Sequence, residues 1–478
     1  MKKRKACLQK KDKEENIFIL ISMIQTRFLL FETVRFEFYT IMTIQAPQLT
    51  RNRILDAFHS YGCPPSQNLI GGEYERHIVD KMGNNTSYEE SYGIQWFLQE
   101  FAKRWNWTPY YEDKNIIALN KDGASITLEP GGQFELSGKA HRDLAELQKE
   151  FSENRQCLLE LAQESQKIPI TCGLTPLNDI DDIKWMPKGR YKIMREYLPQ
   201  KGGLAHYMMK GTTSVQCNYD FEHEADCAKK VQLCSGMAPI TTAIFANSPL
   251  YKNKNTSYIS FRGHIWTQTD PDRCGFPPGL RNDYSHEKWV DYLLDVPMMF
   301  IHRDQWIHAN GRSFREFMTT GIDGHFATWE DWDLHMTSVF PEVRIKKTIE
   351  VRGADCVRHD LAVAFCALFT GLLYDPIALD KGIDVVSEFT NVANREERFH
   401  IACKDGLQGK IGTHRFVSFA ETFLEIAKEG LQRYQPHNVH LLEPLIEQVS
   451  TGKSPGHELL ETWKQDSSPQ NILDFLAY

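Results

Sequence analysis

The sequence EVRIKKTIEVR, from Glu342 to Arg352, alternates apolar and polar residues and decides the fold class. In an extended strand, residues i and i+2 share a face. Four aliphatic residues therefore lie on one side, and the opposite side carries Arg344, Lys346, Thr348, Glu350 and Arg352. One side suits a core and the other suits polar chemistry, so the pattern predicts a β-strand.

The same alternation recurs in residues 212–218 and 258–266. We expect both to be strands, with Gln216 on the polar face of the first and Arg262 and Trp266 on that of the second. Alternation of this kind usually marks a half-solvated antiparallel sheet. Here, however, the polar faces carry Arg, Gln, Asn, His and Trp beside carboxylates, which favours a polar cavity that binds a charged ligand.

Two further acidic segments, GEYE at 72–75 and LEPGGQFE at 128–135, point to a metal. Glu73 and Glu75 are two residues apart and share a strand face. Carboxylates packed so closely repel one another unless divalent cations or protons neutralise them. The sequence therefore predicts a magnesium site.

Composition limits the function classes. The 478 residues are 41% hydrophobic, which allows a large core. The net charge of -8 and the absence of a basic block with interleaved aromatics beyond the extreme N-terminus argue against a nucleic-acid partner. The 11 cysteines include no Cys-x-x-Cys pair, which is typical of reduced cytosolic thiols rather than of disulfides or structural zinc. We therefore expect a cytoplasmic protein.

Residues 1–41 differ in character from the rest. The segment 1–13 is strongly basic, and the apolar run 17–24 is too short to span a bilayer. No small-residue cleavage site follows it, and the Ser-rich, acid-poor composition of organelle targeting is missing. We interpret residues 1–41 as a dispensable extension and residues 42–478 as a single catalytic domain without a membrane partner.

Beyond residue 42 the pattern indicates helices and strands in irregular order. Helical periodicity marks residues 52–61, 88–105, 141–166, 188–197, 222–247, 329–340, 357–374, 415–434 and the tail from 441. Strands occur singly or as hairpins between them, which favours an α+β fold on an antiparallel sheet over a regular βαβ alternation. The sequence contains no phosphate-binding P-loop, dinucleotide-binding glycine turn, nucleophile elbow or HExxH zinc helix.

Several motifs together resemble one family. They are EPGGQFE at 129–135, SVQCN at 214–218, NSP at 247–249, TQTDPDR at 267–273 and EVRGAD at 350–355. From about Gly71 onward the chain is similar to the plant and proteobacterial glutamate-cysteine ligases. The resemblance implies a glutamine-synthetase-like fold, with a curved, mainly antiparallel sheet that forms a funnel flanked by helices. It also implies ATP-dependent ligation of the glutamate γ-carboxylate to the cysteine amine through a γ-glutamyl phosphate.

The resemblance also implies roles for particular side chains. Two or three Mg²⁺ ions, which Mn²⁺ can replace, would be bound by Glu73, Glu75, Glu129, Glu135 and Glu350. The substrate pocket would be lined by Gln133, Gln216, Trp266 and Arg262, the last gripping the α-carboxylate of glutamate. Lys346 and Arg352 would bind the nucleotide and stabilise phosphate charge in catalysis. The alternative for these two cations is a structural ion pair.

Two positions depart from the family pattern. Gly211, with Lys210 beside it, stands where plant members have an arginine, and Tyr74 stands where they have histidine. The first change leaves the amine acceptor open. The alternatives are therefore a related ligase with another amine acceptor and a non-catalytic binding protein of the same fold. The substrates implied are glutamate, cysteine and ATP, and the protein would be a monomer or homodimer.

Overall fold

The computed structural model describes residues 49–280 and 283–478. Residues 49–478 form one compact unit. The interpretation of residues 1–41 as an extension lies outside the described residues, and the assignment of residues 42–478 to one domain stays a prediction.

The described residues form seventeen α-helices. They are α1 Arg51–Ser60, α2 Ile94–Trp105, α3 Leu144–Ser165, α4 Gly189–Tyr197, α5 Ala205–Gly211, α6 Glu224–Ile244, α7 Phe261–Thr267, α8 His286–Asp295, α9 Phe314–Thr320, α10 Trp329–Met336, α11 His359–Leu373, α12 Pro376–Thr390, α13 Arg395–Asp405, α14 Phe416–Tyr434, α15 Glu443–Ser450, α16 Pro455–Gln465 and α17 Pro469–Leu476. Pro239 lies within α6 and does not end it.

The strands that build the main sheet are β1 Ile70–Val79, β2 Thr108–Glu112, β3 Asn115–Lys121, β4 Ala124–Leu128, β5 Phe134–Ser137, β6 Ile168–Ile170 and β7 Ser214–Tyr219. Short pairs follow: β8 Leu250–Tyr251, β9 Lys254–Asn255, β10 Cys274–Gly275, β11 Phe300–His302, β12 Trp306–His308 and β13 Phe340–Pro341. The last strands are β14 Val343–Ile345, β15 Ile349–Asp355, β16 Lys410–Ile411 and β17 His414–Arg415.

The central element is an open antiparallel sheet. Within the described residues it has nine strands in the order β14-β15-β7-β1-β5-β4-β3-β2, with β6 pairing the end of β1. Every neighbouring pair is antiparallel. The prediction of an α+β fold on an antiparallel sheet is confirmed, and the sheet is not closed. Its central strand, β1, is the one that carries Glu73 and Glu75.

The stretch 342–352 is a hairpin rather than one strand. Val343 pairs with Val351 and Arg344 with Glu350, and the amide of Lys346 donates to the carbonyl of Thr348 at the turn (3.0 Å). Across the hairpin, apolar residues lie opposite apolar residues and charged residues opposite charged ones. The predicted apolar and polar faces are therefore retained although the chain reverses direction. The four aliphatic residues are buried.

The expected strand at residues 258–266 is wrong. Ser260 caps helix α7, and its hydroxyl accepts a hydrogen bond from the amide of Gly263 (3.0 Å). A serine followed by a run of mixed apolar and polar residues fits a capped helix as well as a strand, and here the cap decides. Arg262 and Trp266 still share a face, because residues i and i+4 are neighbours on a helix.

Helix α11 lies inside the hydrophobic core. Its residues from Leu361 to Leu373 are all buried, because this helix is apolar on every side. No single helix among the described residues is long and apolar enough to cross a membrane; α11 and α12 meet that criterion only as a pair bent by 97°.

Candidate active site

Strand β1 brings the predicted acidic segments together. Glu73 and Glu75 project from one face of it, while Tyr74 and Arg76 project from the other and are fully buried. Glu75 lies directly opposite Glu135 of β5, so these carboxylates share a face across the strand pair. The sequence could predict which side chains share a face along one strand. Which side chain of the adjacent strand lies beside them is determined by the strand register.

These side chains open onto one cavity of about 450 Å³, which we call the front cavity. Four of the five predicted metal ligands line it: Glu73, Glu75, Glu129 and Glu135. Basic side chains also line it, namely Lys188, Arg190, Arg344, Lys346 and Arg352. Acids and bases from distant parts of the chain therefore face the same space, as expected for a site that handles several charged groups.

The carboxylates of the front cavity repel one another. Burial raises the pKa of Glu73 to about 7, and the charges of Glu350 and Glu135 add to the effect. Burial raises the pKa of Glu75 to about 8, reinforced by Glu135 and Glu129. The pKa of Glu135 is raised by burial and by Glu129. A bound cation would relieve this repulsion.

Protein donors hold the same carboxylates in place. Glu75 accepts hydrogen bonds from the amide of Ser214 (2.6 Å) and from Gln216 (3.3 Å), and Glu73 accepts one from Asn218 (2.9 Å). With the side chains so placed, no group of three His, Cys, Asp or Glu residues in the described part of the chain could hold a metal ion. The donor set is hard oxygen, which is the chemistry that Mg²⁺ prefers.

Glu350 is placed differently from the other predicted ligands. It is completely buried, and both of its oxygens accept from the guanidinium of Arg344 (2.8 Å each). Lys346 lies 3.4 Å away, and Arg352 also donates to it. Burial would raise its pKa, but these three cations outweigh burial and hold the pKa well below its usual range. Glu350 itself therefore does not line the front cavity. It is connected to the cavity through the three basic side chains that it pairs with, which do line it.

A smaller pocket of about 90 Å³ adjoins the front cavity and shares Glu75, Glu129, Gln216 and Arg352 with it. We call it the inner pocket. All four predicted substrate residues line it: Gln133, Gln216, Arg262 and Trp266. The structure thus brings together side chains that are as much as 133 positions apart in the sequence.

The four residues are not equally available to a ligand. The buried Arg262 donates one hydrogen bond to the carbonyl of Arg352 (3.1 Å) and lies 3.7 Å from the buried carboxylate of Asp355, so part of its guanidinium is already engaged. The indole nitrogen of Trp266 is buried without a hydrogen-bond partner. Gln133, by contrast, accepts from the amide of Gly131 (2.8 Å) and donates to two carbonyls, so it fixes the loop before β5.

Both interpretations of Lys346 and Arg352, as phosphate-binding cations and as members of structural ion pairs, have geometric support. Each lines the front cavity, and each pairs with Glu350. An anchored cation is also a preorganised one, because its position is fixed before any anion arrives. The ion pairs are therefore compatible with a role towards phosphate.

Sequence reasoning missed two cations of the front cavity, Lys188 and Arg190, and it placed Arg344 on the polar strand face without assigning it a role. Lys188 donates to the carbonyl of Leu128 (2.8 Å), and burial, together with the charge of Arg190, lowers its pKa to about 8. The Nε of Arg190 is buried without a partner. The signal was the segment PKGR at 187–190, in which Lys188 is the N-cap residue of helix α4 and Arg190 lies in its first turn.

The two departures from the family pattern do not line the front cavity or the inner pocket, although Gly211 directly precedes Thr212, which lines the inner pocket. A Cβ added at Gly211 would meet Ile180 Cδ1 at 2.5 Å and Leu174 Cδ1 at 2.9 Å, so a side chain there would enter apolar surroundings. Lys210 does not line the front cavity or the inner pocket; its ammonium donates to the carbonyl of Ile183 (3.2 Å). Lys210 therefore does not replace the family arginine. Tyr74 faces the back of the sheet.

Comparison with known proteins adds independent information. The model of Glutamate-cysteine ligase family 2 matches residues 69–472. The chloroplastic glutamate-cysteine ligase of Medicago truncatula is 36% identical over 440 residues, which cover 90% of this chain and 85% of the relative. That of Nicotiana tabacum is 37% identical over 445 residues, covering 91% and 84%.

A solved structure is also similar. The glutamate-cysteine ligase of Francisella tularensis, determined in complex with AMP, superposes with a TM-score of 0.55 and 15% identity. The match covers 86% of this chain and 87% of the other. At that identity the likeness shows the fold alone.

The expectation of a cytoplasmic protein is wrong, because the curated relatives are chloroplastic. That expectation rested on cysteine usage. All cysteines in the described ranges are indeed free. Unpaired thiols argue only against an oxidising compartment, and they do not distinguish one reducing compartment from another.

Proposed function

The chain belongs to glutamate-cysteine ligase family 2, and we propose that the front cavity and inner pocket together are its active site. The reaction is ATP-dependent and joins the γ-carboxylate of L-glutamate to the amine of L-cysteine, giving γ-glutamylcysteine, ADP and phosphate. It is the first step of glutathione biosynthesis. The observation that carries the assignment is the set of five carboxylates and five cations that faces one cavity.

In the first step, the γ-carboxylate of glutamate attacks the γ-phosphate of ATP and forms an acyl phosphate. The transferring phosphoryl group carries spread negative charge, so catalysis depends on positioning and on cations rather than on a protein nucleophile. We assign Lys346 and Arg352 to the phosphates. Glu350 keeps both of them, together with Arg344, in place.

We assign Mg²⁺ binding to Glu73, Glu75, Glu129 and Glu135. Bound Mg²⁺ would supply charge neutralisation at the phosphate oxygens. Glu350 would join this set only by releasing one of its basic partners, so its first role in the proposal is to orient them. The raised pKa values of Glu73 and Glu75 support the assignment, because a cation would remove the repulsion that raises them.

We assign the glutamate substrate to the inner pocket. The guanidinium of Arg262 suits the α-carboxylate, since its planar fork binds a carboxylate with two hydrogen bonds. The indole nitrogen of Trp266 is a buried donor without a partner, and Gln216 lies next to Glu75, to which it donates. For the adenine we assign the aromatic rim of the front cavity, where Tyr110 and Trp306 lie.

The amine acceptor is tested directly with purified protein, ATP, Mg²⁺ and glutamate. Phosphate release is measured with cysteine and with a panel of other amines. We expect cysteine to give the highest kcat/KM. Equal rates with other amines would favour a related ligase, and the absence of Mg²⁺-dependent ATP turnover would favour a non-catalytic binding protein.

We further propose that the protein acts in plastids on small molecules, as a monomer or homodimer, without a nucleic-acid or membrane partner. The plastid location follows the names of the curated relatives. A fluorescent protein fused behind residue 478 should colocalise with chlorophyll in leaf cells. Diffuse cytosolic fluorescence would contradict the proposal.

A further inference from the structure

Asp355 is a buried acid close to the inner pocket that lines neither this pocket nor the front cavity. It is the last residue of β15, and its side chain is fully buried. Packing around it is tight, since a Cβ added at Gly173 would lie 2.4 Å from Asp355 Cγ. A buried carboxylate destabilises a fold unless donors satisfy it. The donors around Asp355 therefore show which parts of the molecule it holds in place.

Three hydrogen bonds join Asp355 to two segments that meet at the start of α7. Its Oδ2 accepts from the amide of Asn247 (2.8 Å) and from the hydroxyl of Ser248 (2.6 Å). Its Oδ1 accepts from the hydroxyl of Ser260 (2.9 Å), the residue that caps α7. Ser248 and Ser260 also pair in an isolated parallel β-bridge. The end of β15 is thus connected directly to the beginning of this helix.

The two serines extend this connection to the backbone around Arg262. The hydroxyl of Ser248, which donates to Asp355, accepts from the amide of Arg262 (3.0 Å). The hydroxyl of Ser260, which also donates to Asp355, accepts from the amide of Gly263 (3.0 Å). A hydroxyl has one proton to donate and two lone pairs that accept. Because Asp355 takes both protons, the lone pairs are directed to the amides of the first turn of α7.

The side chain of Arg262 faces Asp355 as well. Its Nη1 lies 3.7 Å from Asp355 Oδ1, which is attraction between charges rather than a hydrogen bond. Its Nη2 donates to the carbonyl of Arg352 (3.1 Å). Burial raises the pKa of Asp355, and the charge of Arg262 is the largest influence that opposes this rise. Asp355 therefore acts on the guanidinium of Arg262 in addition to its backbone.

We propose that Asp355 is a positioning residue that sets the placement of Arg262 for the α-carboxylate of glutamate. The inference rests on the proposed function, in which the inner pocket binds glutamate. A guanidinium binds a carboxylate with two hydrogen bonds only when its plane is correctly oriented. Loss of the Asp355 charge should therefore weaken the binding of glutamate and leave that of ATP unchanged, because the nucleotide is assigned to the front cavity.

A double-mutant cycle on the ligase reaction tests the proposal. The KM values of glutamate and of ATP are measured for wild type, Asp355→Asn, Arg262→Lys and the double variant. We expect Asp355→Asn to raise the KM of glutamate by about 10-fold and to keep the KM of ATP within about 2-fold. In the Arg262→Lys background the same substitution should raise the KM of glutamate by less than about 2-fold, since the fork that Asp355 orients is gone.

Equal effects of Asp355→Asn in the two backgrounds would overturn the proposal, because Asp355 would then not act through Arg262. A merely structural role would lower the folded fraction, and with it kcat, without shifting one KM selectively. An active wild type whose KM of glutamate is unchanged by Asp355→Asn would refute the positioning role alone. A wild type without glutamate-dependent ATP turnover would refute the proposed function, and the positioning role with it.

Ser248→Ala carries the test if Asp355→Asn does not fold. It removes only the hydroxyl that links Asp355 to the amide of Arg262, so the KM of glutamate should rise by about 3-fold or more. The matched control is Ser165→Ala, which removes a buried hydroxyl that donates within its own helix α3 and should leave both KM values unchanged. A KM of glutamate that stays the same in Ser248→Ala as in this control would overturn the proposal.

Discussion

The two faces of β1 differ in how well their charges are matched. On the front face, Glu73 and Glu75 meet other carboxylates, and their pKa values are raised to about 7 and about 8. On the back face, the guanidinium of Arg76 lies 4.6 Å from the ring centroid of Tyr74 and 4.9 Å from that of Tyr478. Arg76 also donates to the hydroxyl of Tyr478 (3.0 Å). On the back, the charge of Arg76 is met by two aromatic rings and by hydrogen bonds, although its Nε is buried without a partner. On the front, carboxylates face one another at raised pKa.

This difference shows where the strand serves stability and where it serves function. Local conflicts that a fold does not resolve are expected at functional sites, while the remainder of the protein stays consistent. Substitutions on the front should therefore change activity without loss of stability, and substitutions on the back should do the reverse.

Glu75→Gln should give the largest effect. Because the amide cannot bind Mg²⁺ as a carboxylate does, kcat should fall by about 100-fold or more. The free energy of unfolding without Mg²⁺ should not fall, since one repelling charge is removed. Steady-state kinetics and urea unfolding measure both, with the exposed Glu421→Gln as control. A variant of normal activity would remove Glu75 from the active site.

Tyr74→Ala tests the back face. The ring is fully buried, stacks on Phe151 with centroids 5.4 Å apart and donates to the carbonyl of Val357. Its removal should lower the free energy of unfolding by about 3 to 5 kcal/mol, as for other buried aromatic residues. Tyr74→Phe is the matched control and should lose only the hydrogen bond, about 1 kcal/mol. If Tyr74→Ala were as stable as wild type, the two faces would not differ as described.

Glu342→Gln tests the front face further through the pH dependence of the free energy of unfolding. Glu342 is buried near Arg262 and Arg352, and burial raises its pKa to about 7 from an ordinary 4.5. The folded state then binds more protons than the unfolded state between these values, so wild-type stability falls as pH rises through this window. The glutamine variant lacks this contribution.

Relative to wild type, Glu342→Gln should therefore gain on the order of 3 kcal/mol in free energy of unfolding between pH 4 and pH 8. Urea unfolding of both proteins across this range measures the change. A stability difference that does not vary with pH would show that Glu342 titrates normally.

Tyr478→Phe should give the smallest effect. It removes the acceptor for Arg76 and keeps the ring over the guanidinium, so we expect a loss of about 1 to 2 kcal/mol. kcat should remain within about 2-fold of wild type, because the hydroxyl lies behind the sheet. A much larger fall in kcat at unchanged stability would mean that the back face also positions the front carboxylates.

The sequence predicted which side chains share a face of a strand better than it predicted which side chains from different parts of the chain lie next to one another. Alternation placed Glu73 with Glu75 and Arg344 with Glu350 correctly, because a two-residue period holds along a strand and across a hairpin. It misassigned the segment around Arg262, where a serine cap starts a helix. It placed the three cations on one face with Glu350, but it could not foresee that all three pair with a completely buried Glu350, since burial and pairing depend on the tertiary structure.

The contact between Arg76 and Tyr478 joins residues 402 positions apart. During translation β1 emerges long before its partner, and at typical elongation rates the interval is roughly 20 to 80 s. Throughout that time the back face of β1 lacks its contact with the ring of Tyr478. Contacts between residues this far apart in the chain also form slowly. Newly made protein should thus depend on chaperones until Tyr478 has docked.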